Sequence, residues 1–327
     1  MKPVLLLDVV GLTPRQVQAE VTPHLAALAA RGGMSPMGAV LPAVTCSAQA
    51  TMLTGALPSA HGAVGNGWCD PASRDVALWR QSNHLVGGEK VYEAARRLDP
   101  SFTCAKLFWW WNMGAAVDRS ITPRPFYFAD GAKQVAIYST PPEFGEAQEQ
   151  RHGAFPFFDF WGPKSGLPSS RWIASAAMET LRSKSPTLTL VYLPHLDYSH
   201  QRFGPDAPQS LQAIAELDVL VGELLATADE CGTETMVVSE YAIEDEGGWV
   251  LLEAAATAAA PGGGKAGDGC AQKLHQLIGR HGSILYEFTV FETILIWIDP
   301  CRWAGRVGRQ TETQHQELEH RWTISES

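Results

Sequence analysis

Three acids and a threonine stand where this chain could handle a metal ion or a phosphate. Asp8 ends the first apolar run, "PVLLLDVV". Asp197 lies a few residues past "TLTLVYL", and Glu240 directly follows "TMVVS". Singly, each acid is explained as well by a helix cap or a solvated loop. At equivalent strand ends, the three together suit a metal or phosphate site. The threonine is Thr45, which with Cys46, Ser47 and Thr51 crowds the start of an apolar helix in "LPAVTCSAQATMLTG". Thr45 is either a cap for orphan backbone N–H groups or a nucleophile placed where the helix dipole favours an anionic substrate. Cys46 is a rival, because a helix N-terminus depresses a thiol pKa. A hydroxyl without a base or metal beside it is too weak to attack phosphorus. His200, close to Asp197, is a further candidate ligand or a solvated loop histidine. His195 and His61 read more simply as structural hydrogen-bonding groups.

These residues need a scaffold that brings them together. The near-continuous apolar run 3–10 predicts a strand buried on both faces, and "TPHLAALAARGG" predicts a helix with proline at its start and glycines at its end. The same unit recurs at 187–193, followed by the amphipathic segment 211–228 and a strand over 235–239. Such alternation predicts an α/β fold, a doubly wound and mostly parallel sheet flanked by helices. Ligands bind beyond the carboxyl ends of its strands, where the three acids fall. The stretch of about 70–186 carries most of the tryptophans, in "FWWWNMG" and "FPFFDFWGP" among others, and reads as an aromatic-rich insert or cap over about 85–185. Its aromatic side chains serve either as core or as a substrate wall. We expect one domain over 1–327 with a divergent C-terminal segment over 243–327. In that segment "LLEAAATAAAPGGGKAGDG" reads as a helix former running into a flexible linker, and "ILYEFTVFETILIWID" as one or two strands.

Composition narrows the partners. With 45% hydrophobic residues in 327, the chain folds around a sizeable core. A formal charge of −10 without a basic patch argues against a nucleic-acid polymer or an anionic membrane. No apolar stretch approaches the roughly 18 residues of a membrane span. The six cysteines are scattered, without a C-x-x-C pair, which predicts reduced thiols, no structural zinc and a cytoplasmic protein.

The quoted stretches resemble the type I phosphodiesterase/nucleotide pyrophosphatase branch of the alkaline phosphatase superfamily over roughly residues 1–242. An Asp at the end of the first strand and a Thr at a helix start lead into a T-G-x-x-P-x-x-H-G run, here "TGALPSAHG" (54–62), and Asn66 follows in "GNGW". The resemblance resumes at "LPHLDYSHQRFGP" and "VVSEY". It implies a hydrolase of phosphate mono- or diesters acting on a small phosphorylated organic substrate, with Thr45 as nucleophile and Asn66 holding a phosphate oxygen. It further implies a divalent metal centre, usually a zinc pair, with Asp8, Thr45, Asp197 and Glu240 among its ligands and His200 as a substitute ligand. Sulfatases of the superfamily need a C/S-x-P-x-R sequence that is missing around Cys46, and the mutases need a larger second domain.

Two positions depart from the branch. Where the resemblance implies His four residues after Asp197, this chain has Gln201, and where it implies Asp-His after "TMVVS", it has Glu240-Tyr241. Glutamine and a neutral phenol are poor ligands for a divalent ion. The surviving set suits one ion, Mg²⁺ or Mn²⁺ as well as zinc, more readily than a zinc pair. The alternative expectation is a metal-depleted, non-catalytic relative that binds a phosphorylated metabolite or partner.

Overall fold

The computed structural model describes residues 1–69, 73, 75–130, 132–244 and 293–297. An eight-stranded sheet forms the centre. Its five inner strands are parallel: β11 (Glu234–Val238), β1 (Val4–Val9), β10 (Leu188–Leu193), β5 (Cys104–Leu107) and β6 (Arg119–Pro123), in that spatial order. Antiparallel strands complete both sides, β9 (Ile137–Thr140) on β6, and β12 (Thr293–Trp297) followed by β2 (Gly33–Met37) on β11. The expected doubly wound, mostly parallel sheet is thus present.

Strand periodicity divides the core between the two faces of the sheet and decides where Asp8 points. Leu5, Leu7 and Val9 pack with Val191, Leu193 and Val237. On that face lie α1 (Pro23–Arg31), α6 (Leu167–Lys184) and α8 (Pro208–Glu230), which bury Leu25, Ile173, Leu217, Leu220, Val221 and Leu224 there. Leu6, Leu190 and Val238 have the opposite parity and pack with Leu53 of α2 (Thr45–Thr54) and Tyr92 of α4 (Val91–Leu98). Asp8 shares the parity of Leu6, so it is aimed at α2, the helix that Thr45 begins.

The aromatic stretch is less separate than a cap. Residues 85–185 contain β5, β6 and β9 of the central sheet, together with α6 on its face. A tryptophan loop then leaves β5. Phe108 (φ 60°) and Trp111 (φ 58°) hold left-handed backbone conformations there. Side chains with a Cβ adopt that region rarely, so the loop depends on fixed partners. The buried ammonium of Lys106 donates to the Trp111 carbonyl at 2.7 Å, and Asn112 Nδ2 donates to the carbonyls of Lys106 and Ile121.

Of the C-terminal segment, a strand within "ILYEFTVFETILIWID" is present as β12. The expected helix and Gly-rich linker over 251–269 and the polar end over 310–327 lie outside the described residues. The expectation of six reduced cysteines fails at Cys69, which is disulfide-bonded, whereas Cys46, Cys104 and Cys231 are free. Scattered spacing along the sequence does not keep two cysteines apart in space, so the cysteine argument for a reducing compartment loses its ground. No described helix is long and apolar enough to cross a membrane.

Candidate active site

Thr45 is the first residue of α2, with Val44 as the cap, and its side chain makes no capping hydrogen bond. The simplest alternative for this hydroxyl is therefore not realised. Thr45 is 3% exposed, and its neighbour across the sheet edge is the carboxyl of Glu240. Glu240 also lies against Asp8 and Gln49. This follows from register: Asp8 pairs with Val238, and Glu240 stands two residues on, at the open carboxyl end of β11.

The electrostatics of this group are unusual. Asp8 and Glu240 are 0% and 1% exposed. Gln49 Nε2 donates to Asp8 Oδ2 at 3.0 Å, while Asp8 Oδ1 and both oxygens of Glu240 close no hydrogen bond of regular geometry. Burial raises both carboxyl pKa values, and the charge of Asp8 raises that of Glu240 further. Three orphaned, buried carboxylate oxygens are costly unless a cation or a proton is shared among them.

Gln49 has no counterpart among the residues that sequence reasoning selected. It lies one helical turn after Thr45 and so faces the same way. Its amide N–H₂ donates to Asp8, and its carbonyl accepts the backbone N–H of Trp110. Trp111 Nε1 donates to the Cys46 carbonyl at 2.9 Å. Two bonds from the tryptophan loop therefore fix the first turn of α2. The spacing of Thr45 and Gln49 was a usable signal, whereas a backbone N–H donor such as that of Trp110 leaves no mark in a sequence.

Cys46 is 1% exposed, and burial followed by the nearby Glu240 pushes its pKa up, so it remains a neutral thiol. The depression expected from the helix N-terminus is outweighed, and Cys46 is no rival nucleophile. Its backbone N–H donates to Asn66 Oδ1 at 3.0 Å. Because an N–H can only donate, this bond settles which end of the Asn66 amide faces the helix and leaves Nδ2 as a donor. His61 is structural as expected: Nδ1 accepts from the Ala63 N–H, so Nε2 carries the proton and donates to Thr51 Oγ1 at 2.9 Å.

Asp197 forms a second group. It lies in the first turn of α7 (His195–Phe203), past the end of β10, and is buried, at 9% exposed. Its pKa is pushed up to about 6 by burial, against the pull of two donors. Tyr241 Oη donates to Oδ1 at 2.8 Å and Gln201 Nε2 to Oδ2 at 2.8 Å. Tyr192, the register partner of Asp8, feels the charges of Glu240, Asp197 and Asp8, so all three acids surround one strand end.

His200 does not join either group. Its Nδ1 would lie 3.1 Å from a Cβ on Gly11, and its charged neighbours are Arg15, Asp206 and His195. Burial pushes its pKa down to about 4. The side chain turned onto the Asp197 carboxylate from the next turn of α7 is that of Gln201. Among the described residues, no three His, Cys, Asp or Glu side chains converge as a metal-ligand cluster.

The sequence model of the type I phosphodiesterase/nucleotide pyrophosphatase family matches residues 4–267. The chain belongs to this family. Members of the type I phosphodiesterase/nucleotide pyrophosphatase family generally depend on divalent metals. An uncharacterized pyrophosphatase/phosphodiesterase of Schizosaccharomyces pombe is 24% identical over 224 residues, which is 68% of this chain and 40% of the yeast protein. Among solved structures, phosphonoacetate hydrolase from Sinorhizobium meliloti in complex with phosphonoformate superposes with a TM-score of 0.51 at 16% identity, over 74% of this chain and 56% of that one. Murine ectonucleotide pyrophosphatase/phosphodiesterase 5 gives a TM-score of 0.50 at 17% identity, over 74% and 57%. The chain thus spans about half the length of these relatives, and at such identities the structural likeness shows the fold.

The family's metal requirement can be tested against the residues present. Asp8 and Glu240 fit a cation, because they offer buried carboxylate oxygens without hydrogen-bond partners, with the Thr45 hydroxyl beside Glu240. Asp197 fits less well, because each of its oxygens already accepts from a neutral donor.

Proposed function

We propose that this chain hydrolyses phosphate mono- or diesters of a small organic molecule, with Thr45 as the nucleophile. The observation that carries this reading is the set of orphaned oxygens on Asp8 and Glu240 beside a threonine at the start of a ten-residue helix. A divalent cation held by Asp8, Glu240 and Thr45 would supply positive charge that acidifies the threonine hydroxyl and offsets the phosphoryl charge. An all-oxygen donor set suits Mg²⁺ or Mn²⁺ better than zinc. Thr45 Oγ attacks phosphorus, and the alcohol leaves. Water then releases phosphate, or a phosphate monoester, from the threonine. Gln49 holds the Asp8 carboxylate in place, and the free Nδ2 of Asn66 donates to a phosphoryl oxygen. Trp68, half-buried and packed on the buried Trp111 with 5.8 Å between ring centroids, flanks the same turn and suits an organic leaving group.

The test uses p-nitrophenyl phosphate and bis-p-nitrophenyl phosphate with added Mg²⁺, Mn²⁺ or Zn²⁺. Thr45→Ala is expected to lower kcat by about a thousandfold or more. Equal rates for variant and wild type would remove Thr45 from the chemistry.

A second reading has its own support. With Tyr241 and Gln201 saturating Asp197, the chain can be a family member that binds a phosphorylated metabolite without turning it over. No turnover with any of the three metals, alongside saturable binding of a phosphate ester, would favour it.

A further inference from the structure

The family's metal chemistry and the Asp197 group disagree, and the disagreement is specific. Where the resembled branch has two histidines, this chain has Tyr241 and Gln201. Both are turned onto the same carboxylate, one donor to each oxygen. Tyr241 is 4% exposed, and its phenol donates to Asp197 Oδ1 at 2.8 Å. The Gln201 amide, one helical turn from Asp197, turns its N–H₂ onto the acid, so the group nearest that carboxylate is a donor and not a cation ligand. Neutral donors on both oxygens offset part of the burial cost of the Asp197 carboxylate. By contrast, Asp8 Oδ1 and both oxygens of Glu240 accept no such bond.

We propose that this chain binds a single divalent cation, between Asp8, Glu240 and Thr45, and that Asp197, Tyr241 and Gln201 form a hydrogen-bonded unit where a second cation would sit. The proposal rests on Asp8, Glu240 and Thr45 being a cation site, as in the proposed function, and does not depend on turnover. Asp197 then acts as a positioning residue. Its bond to the Tyr241 phenol fixes the residue next to Glu240, and so the direction in which Glu240 enters the recess.

Metal-stripped protein comprising residues 1–327 is titrated with Mn²⁺ alone. Bound metal is counted by mass spectrometry, and its environment is read by electron paramagnetic resonance. Wild type is expected to take one equivalent with the signal of an isolated ion. Asp197→Asn is expected to keep that equivalent, with affinity within about tenfold of wild type, whereas Glu240→Gln weakens it by about a hundredfold or more. Two equivalents with an exchange-coupled signal in wild type would overturn the proposal. So would no bound metal, or loss of the single equivalent in Asp197→Asn but not in Glu240→Gln. The wild-type stoichiometry decides even if a variant fails to fold. One bound Mn²⁺ with no hydrolysis of either nitrophenyl ester would sustain this inference while defeating the hydrolase reading.

Discussion

Lys106 lies fully buried in β5, its Nζ 5.4 Å from the centroid of the Tyr92 ring and 2.7 Å from the Trp111 carbonyl. Burial pulls its pKa from 10.5 down to about 7. Between those two values the unfolded chain holds a proton that the folded one has released. Stability therefore rises with pH across this window, by up to about 1.4 kcal/mol per pH unit from this residue. In Lys106→Met that contribution disappears. Urea unfolding of both proteins at pH 7 and pH 9 should show wild type gaining on the variant as pH rises, and parallel curves would refute the assignment. The residue scale also shows what a sequence reveals of such a site. Asp8, Thr45 and Glu240 were legible because each stands at the end of a strand or the start of a helix, where backbone geometry dictates proximity. The separation of His200 from Asp197 was not, because it depends on the exact phase of α7. A lysine in an apolar strand gave no warning that its ammonium would brace a loop five residues on.

At the scale of elements, helices are tied together by side chains far apart in the chain. Asp218, 1% exposed on α8, accepts the His24 N–H at 3.0 Å and the Leu25 N–H at 2.9 Å. It caps α1 from another helix, in place of a local cap from Thr22, whose hydroxyl instead donates to the Gln16 carbonyl. Asp218→Ala leaves the buried Leu25 N–H and the partly buried His24 N–H without this partner and should cost about 2 kcal/mol. Asp218→Asn, which keeps one acceptor oxygen, should cost clearly less. Denaturant midpoints measure both, and a loss below about 0.5 kcal/mol for the alanine variant would mean that water replaces the cap. Element identities were readable from periodicity: runs 3–10 and 187–193 and segment 211–228 match β1, β10 and α8 to within a few residues. What periodicity could not show is that β5 and β6 belong to the central sheet, because their short, mixed sequences lie among aromatic turns that suggest a cap.

On the scale of the molecule, the sheet is completed by the segment farthest along the described chain. β12 lies between β11 and β2, so residues 293–297 cover the side of β11 and hold the strand at 33–37 in place. A chain shortened to end at residue 292 would leave the outer hydrogen-bonding groups of β11 unpaired and β2 without its neighbour. Unpaired strands of this kind recruit other chains. The shortened protein should appear in the insoluble fraction or as large aggregates by size-exclusion chromatography, and a soluble monomer would show that β12 is dispensable. Synthesis proceeds from the N-terminus, so β2 emerges from the ribosome some 260 residues before the strand that secures it. The parallel centre, with the acids gathered at one end of it, can form while that flank is still open. A nascent chain paused before residue 293 should therefore be a substrate for holdase chaperones.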